Sequence, residues 1–109
     1  MDSLAWLIKQ GDLMPAYTAT LRVNEAPVPL DDADSITFLM VGQGTDETVT
    51  GEATVVEADT GQVSYEWAAG DTDVVDLYRA EWRVDWGGNR IQTFPNEDYK
   101  SIRVVADLG

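Results

Sequence analysis

Two short stretches of the sequence gather carboxylates at spacings that could bind a hard cation. They are GDTDVVD, residues 70 to 76, and DDAD, residues 31 to 34, with these acids: Asp71, Asp73, Asp76, Asp31, Asp32 and Asp34. Carboxylate oxygens in a tight loop suit Ca²⁺, but neither stretch has the ligand spacing or the bidentate glutamate of an EF-hand. Aspartates in turns also accept hydrogen bonds from backbone N–H groups. We therefore predict turn-forming segments and no metal site.

Residues that could carry out catalysis are scarce. The chain has no histidine and no cysteine, which removes the commonest general base, thiolate nucleophiles and zinc sites built on those residues. Its serines are few, and none lies in a nucleophile-elbow pattern. Paired carboxylates for glycoside hydrolysis need a cleft, and no insertion predicts one. The sequence therefore indicates a protein that is not an enzyme and needs no cofactor.

The four tryptophans allow two interpretations. They are Trp6, Trp67, Trp82 and Trp86. A row of exposed tryptophans could stack on sugar rings, as in carbohydrate-binding modules. Trp67 and Trp82 alternate with polar neighbours on strand-like segments, which favours core packing. Trp6 and Trp86 lie near a chain or hairpin end, so we expect them to be half-exposed, as either assembly contacts or ligand contacts.

The charge balance excludes several partners. Twenty acids stand against seven bases, a net charge of −13, so phosphate backbones would be repelled and nucleic acid is not expected as a partner. No apolar run approaches the ~20 residues that cross a bilayer, and no signal peptide is expected at the N-terminus. An acid-rich, lysine-poor surface is typical of a high-salt cytoplasm, where screening removes self-repulsion. We therefore predict a halophilic origin; an ordinary acidic protein is the alternative.

Alternation with period 2 runs through the whole chain and predicts an all-β fold. Eight short runs are separated by turn residues at intervals of roughly 8–12 residues. They begin near Leu4, Tyr17, Ile36, Glu52, Val63, Leu77, Arg90 and Ser101. The segment 42–51 is expected to be a loop. The pattern predicts a single domain, residues 1–109, that forms an antiparallel β-sandwich of seven to eight strands.

The run from residue 77 to 86 predicts which face of its strand is buried. Tyr78, Ala80, Trp82, Val84 and Trp86 point one way, and we expect them to face the core. The charged residues between them are expected on the solvent face, where alternating sign limits repulsion. They are Arg79, Glu81, Arg83 and Asp85. Tyr78 directly follows an Asp-rich turn, which is the place of the tyrosine corner in immunoglobulin-like sandwiches.

A more specific likeness extends from residue 8 to residue 104. The pieces, in order, are Gly11-Asp12, Pro29-Leu30-Asp31, Phe38 to Met40, Gly61-x-Val63-x-Tyr65, Gly70-Asp71-Thr72, Tyr78-x-Ala80-Glu81 and Thr93-Phe94-Pro95. The chain resembles the immunoglobulin-like N-terminal domain of phage baseplate upper proteins; related small domains occur in virion proteins of tailed phages and tailed archaeal viruses. Asp76 replaces a glycine of that pattern. The phage proteins continue into a longer tail-assembly region, whereas this sequence ends at Gly109.

The resemblance implies a non-enzymatic structural protein of a tailed virus. Its place would be the tail or baseplate, the head–tail junction or the capsid surface of the virion, and its partners would be other virion proteins and copies of itself in a homo-oligomer. A carbohydrate- or receptor-binding β-sandwich module is the alternative. We expect the assembly interface to include the N-terminal strand, as a hydrophobic edge open to pairing, and the hairpin end. The residues of this predicted interface are Leu4, Trp6, Ile8 and Trp86.

Overall fold

A computed structural model describes residues 5–96 and 101–108, and these residues form ten strands. The strands are β1 (Ala5–Lys9), β2 (Tyr17–Thr20), β3 (Arg22–Val23), β4 (Ala26–Pro27), β5 (Ser35–Gly42), β6 (Thr48–Glu57), β7 (Gln62–Tyr65), β8 (Asp76–Asp85), β9 (Ile91–Pro95) and β10 (Ser101–Val105). The predicted all-β sandwich is confirmed. No helix that could span a membrane occurs in this described part.

Eight of the strands form one curled sheet that supplies both layers of the sandwich. The order is β1-β10-β8-β5-β6-β7-β2, and β9 pairs with β8 beside β10. Strand β6 belongs to both layers: its first half pairs with β5 and its second half with β7. The register of β6 shifts between Val55 and Glu57, and such irregularities bend a strand and increase its twist.

Two details differ from the sequence-based expectations. Strand β1 runs parallel to β10, with Ala5 opposite Ser101 and Lys9 opposite Val105, whereas all pairs were expected to be antiparallel. Strand β6 begins at Thr48, inside the segment expected to be a loop. Val49 is buried opposite Met40 of β5, so pairing with a core strand overrides the local turn composition.

Aromatic rings fill the space between the two layers. Phe38, Tyr65 and Trp82 are buried, and the Phe38 ring lies 4.6 Å from Tyr65 and 4.8 Å from Trp82, centroid to centroid. Tyr17 stacks on Trp82 at 6.1 Å. Because each buried aromatic side chain removes 150–250 Å² or so from water, this cluster is the main hydrophobic contribution of the fold. The predicted burial of the inward face of β8 is confirmed.

The tyrosine corner is present. The Tyr78 hydroxyl donates a 2.6 Å hydrogen bond to the backbone carbonyl of Val74, four residues upstream. Burial, followed by the charges of Asp76 and Glu47, raises the pKa of Tyr78 to about 12. The corner therefore fixes the loop that enters β8.

Candidate assembly surface

Strand β1 lies at the end of the sheet and, within the described residues, pairs on one side only, with β10. Its side chains alternate between the core and the surface. Ile8 is 4 % exposed and belongs to the hydrophobic core, whereas Leu7 is 61 % exposed. This position makes β1 the edge strand that the sequence predicted.

The predicted interface residues divide into two groups. Trp6 is half-buried: its ring packs edge-on against Tyr17 at 4.9 Å and stacks near Trp67 at 6.0 Å. Trp6 and Ile8 both contribute to the protein's own core. The exposed surface of β1 is therefore formed by side chains on the opposite face of the strand. Leu4 lies outside the described residues.

The fourth predicted residue, Trp86, lies elsewhere. It is half-buried at the β8–β9 hairpin, and its indole N–H donates to Gln92 Oε1 at 3.1 Å. The backbone of Trp86 pairs with Arg90 across the Gly87-Gly88 turn. Trp86 and β1 are therefore not brought together by any contact of the described residues.

An exposed apolar patch accompanies the edge strand. A groove of about 240 Å³ is lined by Leu7, Ile8, Lys9, Asp12, Met14, Pro15 and Val105. Met14 is 78 % exposed, and Leu13 beside it is also exposed. Leu7 and Met14 line the same groove, and exposed apolar side chains that lie together, rather than scattered, mark interaction sites on soluble proteins. We call the exposed residues Leu7, Leu13 and Met14 the β1 patch.

Sequence reasoning did not identify the β1 patch. The interface was predicted at Trp6 and Ile8 of β1, but these two side chains point inward. Leu7 lies at the alternate position of the same strand and therefore points outward. Leu13 and Met14 follow a glycine and precede a proline, so they belong to no periodic run. The position of these apolar residues outside any alternating segment was the sequence signal that could have identified this exposed surface.

A buried threonine holds the segment that carries the patch. Thr72 is 1 % exposed; its hydroxyl donates to the Asp12 carbonyl at 2.9 Å and accepts from the Gly11 N–H at 3.1 Å. The indole N–H of Trp67 donates to the Pro15 carbonyl at 3.0 Å. The segment after β1 is thus tied to the β7–β8 loop at several atoms.

The β7–β8 loop is itself organised by Asp71. One oxygen of its carboxylate accepts from the Tyr65 hydroxyl at 2.5 Å and from the Ala68 N–H at 2.8 Å. Burial, with the nearby carboxylate as a second cause, raises the pKa of the Tyr65 phenol above its usual value. Asp71 therefore has the turn-forming role that the sequence predicted.

Asp76 fixes a second loop. Its carboxylate accepts from the Gly44 N–H at 3.1 Å, from the Thr45 N–H at 2.8 Å and from the Thr45 hydroxyl at 2.7 Å. The Thr45 hydroxyl, together with the backbone N–H donors, lowers the pKa of Asp76 to about 2. A Cβ at Gly42 would collide with this carboxylate, so the loop between β5 and β6 is built around it.

The second acidic stretch behaves differently. Asp31, Asp32 and Asp34 are exposed, and their carboxylates accept no hydrogen bond from the described part of the chain. Across residues 5–96 and 101–108, no three acidic side chains lie close enough together to hold a metal ion.

Comparison with models of protein families found no family that matches the chain, and comparison with curated proteins found no relative.

Proposed function

We propose that this chain is a non-enzymatic structural protein of a tailed-virus particle and that it works through protein–protein contacts. The particle site is the tail or baseplate, the head–tail junction or the capsid surface, and the partners are other virion proteins and copies of itself. The observation that carries the proposal is the β1 patch, an exposed apolar surface on a chain of net charge −13.

The placement of the patch supports an assembly role. Strand β1 offers backbone groups on the side away from β10, and its exposed Leu7 lies beside the groove. An added strand from a neighbour would gain main-chain hydrogen bonds, and the groove would take its side chains. Contacts of this kind can each be weak and still hold an array, because many copies engage together.

The contacts of the resemblance motifs also support the proposal. Gly11-Asp12 and Gly70-Asp71-Thr72 are separate pieces of the likeness to the baseplate domain, about 60 residues apart. They meet through the Thr72 hydroxyl, which binds the backbone of the two residues that precede Leu13 of the patch. A pattern whose parts position one exposed surface is consistent with a role for that surface.

The carbohydrate-binding alternative gains no specific observation. It would be favoured by a row of exposed aromatic rings on one sheet face. In the described part of the chain the strongly exposed apolar side chains are aliphatic.

Mass spectrometry of purified particles from the source organism tests the proposal directly. We expect the protein in virions at a copy number that matches a symmetric ring or shell. Abundance in uninfected cells together with absence from particles would overturn the proposal.

The role of the β1 patch can be tested separately. The variants Leu7→Lys and Met14→Lys should reduce incorporation into particles, because each places a desolvated charge in the contact. Val56→Lys is the matched control, since Val56 is an exposed apolar residue on β6, outside the patch. Equal incorporation of all three variants would remove the patch from the interface.

A further inference from the structure

The outward face of the β5–β6–β8–β9–β10 layer differs in charge from the rest of the protein. Among the described residues, its charged side chains are Glu52, Arg79, Glu81, Arg83, Asp85 and Arg103, and Lys9 of β1, at the edge of the same sheet, lies on the same side as Arg103. Together they are four bases and three acids, a net charge of +1. The other 17 acids and three bases of the chain sum to −14, which gives the net charge of −13. Two copies can approach through this face with the least electrostatic repulsion.

The face also carries an apolar hollow. Leu39 and Val41 of β5 lie opposite Glu81 and Arg79 of β8, and these four residues line a depression of about 190 Å³ together with Met40 and Ala80. Val41 is exposed, as is Ile91 at the start of β9. A partner that covered this face would bury apolar surface as well as charge.

The order of charges along β8 identifies the partner. Arg79, Glu81, Arg83 and Asp85 alternate in sign on the outward face of one strand. If a second copy packs face to face with its β8 antiparallel, Arg79 faces Asp85 and Glu81 faces Arg83. If it packs parallel, each residue faces its own copy and every pair repels. Among closed two-fold pairs, the stripe is therefore complementary to itself only when the two β8 strands are antiparallel.

From this complementarity we propose that the protein forms an isologous two-fold dimer through the outward face of β5 and β8, with the two β8 strands antiparallel. Stacked sheets lie about 10 Å apart and rotate by about 30°, so the central pair, Glu81 with Arg83, stays best aligned. The dimer contact is centred on β8 rather than on the β1 patch, and it does not depend on the virion role.

The dimer is expected to be weak. Four strands spaced about 4.8 Å apart, each about eight residues long with a rise of ~3.3 Å per residue, give a contact area of roughly 500 Å². This area is below the ~800 Å² per partner that a stable complex buries. Exposed ion pairs add little. Association is therefore to be measured up to about 1 mM protein, with 0.3 M salt to screen the remaining net charge.

Sedimentation equilibrium of charge-reversal variants tests the proposal. Glu81→Arg and Arg83→Glu each turn the central pairs repulsive, so each variant should associate at least about tenfold more weakly than the wild type. The double variant restores both pairs and should recover the dimer. The strongest test is a mixture: the two single variants, each monomeric alone, should form a heterodimer with each other.

Two matched controls separate the stripe from net charge. Glu66→Arg and Lys9→Glu make the same changes in charge at exposed positions away from the β8 stripe, and they should leave association unchanged. The proposal is overturned if the wild type stays monomeric at 1 mM or if the double variant and the mixture stay as weak as the single variants. It is also overturned if Lys9→Glu abolishes the dimer while Glu81→Arg does not, because the contact would then lie at β1.

Discussion

The loop at residues 70–76 is bound into the fold at several atoms, whereas the segment at residues 31–34 leaves its three carboxylates in solvent. Both contain three aspartates within seven residues. Asp71 and Asp76 accept hydrogen bonds from side chains and backbone, and Thr72 between them is buried. Acidic composition alone therefore does not distinguish a structural carboxylate from one that serves only as surface charge, because the role depends on which hydrogen-bond donors lie within reach.

Among the substitutions proposed, loss of the Asp71 carboxylate should lower the free energy of unfolding most. Asp71→Ala leaves the hydroxyl of the buried Tyr65 and the Ala68 N–H without their acceptor. We expect a loss of about 3 kcal/mol in the free energy of unfolding, because two hydrogen bonds to a charged group are removed. Urea denaturation measures it. Asp32→Ala is the matched control and should change stability by less than about 0.5 kcal/mol. Equal effects at the two sites would remove the distinction between the loops.

A somewhat smaller effect is expected at Thr72. Thr72→Val keeps the shape of the side chain but leaves the Asp12 carbonyl without its donor. The expected loss is about 2 kcal/mol, with increased hydrogen exchange at residues 10–14 because these residues lose their tie to the loop. Thr50→Val, at an exposed position of β6, is the control. Unchanged exchange at residues 10–14 would show that Thr72 does not position the β1 patch.

The tyrosine corner should contribute less. Tyr78→Phe removes one neutral hydrogen bond, to the Val74 carbonyl, and should cost about 1 kcal/mol. The raised pKa of Tyr78, about 12, favours the neutral phenol in the folded state. Its contribution is therefore fully present below pH ~10 and is lost as the pH rises through 12.

Alkaline denaturation of the wild type and of Tyr78→Phe compares their stability as the pH rises. The wild type should lose its advantage over Tyr78→Phe between pH 10 and 12. A difference that stays constant over this range would contradict the role of the phenol proton.

The smallest effect is expected in the free segment. Replacement of Asp31, Asp32 and Asp34 by asparagine removes three negative charges without removing a hydrogen bond. Thermal melts in a KCl series should show a slight rise in Tm at low salt that disappears near 1 M, where the Debye length falls to about 3 Å. The wild type itself should gain stability with KCl if, as we predict, its surface is halophilic. A flat response of the wild type would contradict the prediction of a halophilic surface.

Sequence periodicity was sufficient to predict which side chains face the core, but it could not predict the contacts between distant segments. Alternation placed Tyr78 and Trp82 in the core and Arg79 on the outward face, because period 2 is a local property of a strand. The parallel pairing of β1 with β10 could not be derived in this way, since parallel partners are distant in the chain and share no hairpin.

The same limit applies to the candidate site. Asp71 and Asp76 were recognised as turn residues, but their acceptor roles depend on Tyr65 and Thr45, which other strands bring near. The edge position of β1 was predicted from its location and composition. The exposed residues of β1 were not predicted, because the predicted interface used Trp6 and Ile8, which lie on the inward face of the strand.

The parallel pairing of β1 with β10 has a mechanical consequence. Strand β1 begins at Ala5 and β10 ends at Val105, and five consecutive residue pairs of the two strands lie side by side. A pulling force between these two positions acts along both strands, so their hydrogen bonds are sheared together rather than opened one at a time. Under tension applied at its two ends, the domain should therefore resist extension until the whole pair slips at once.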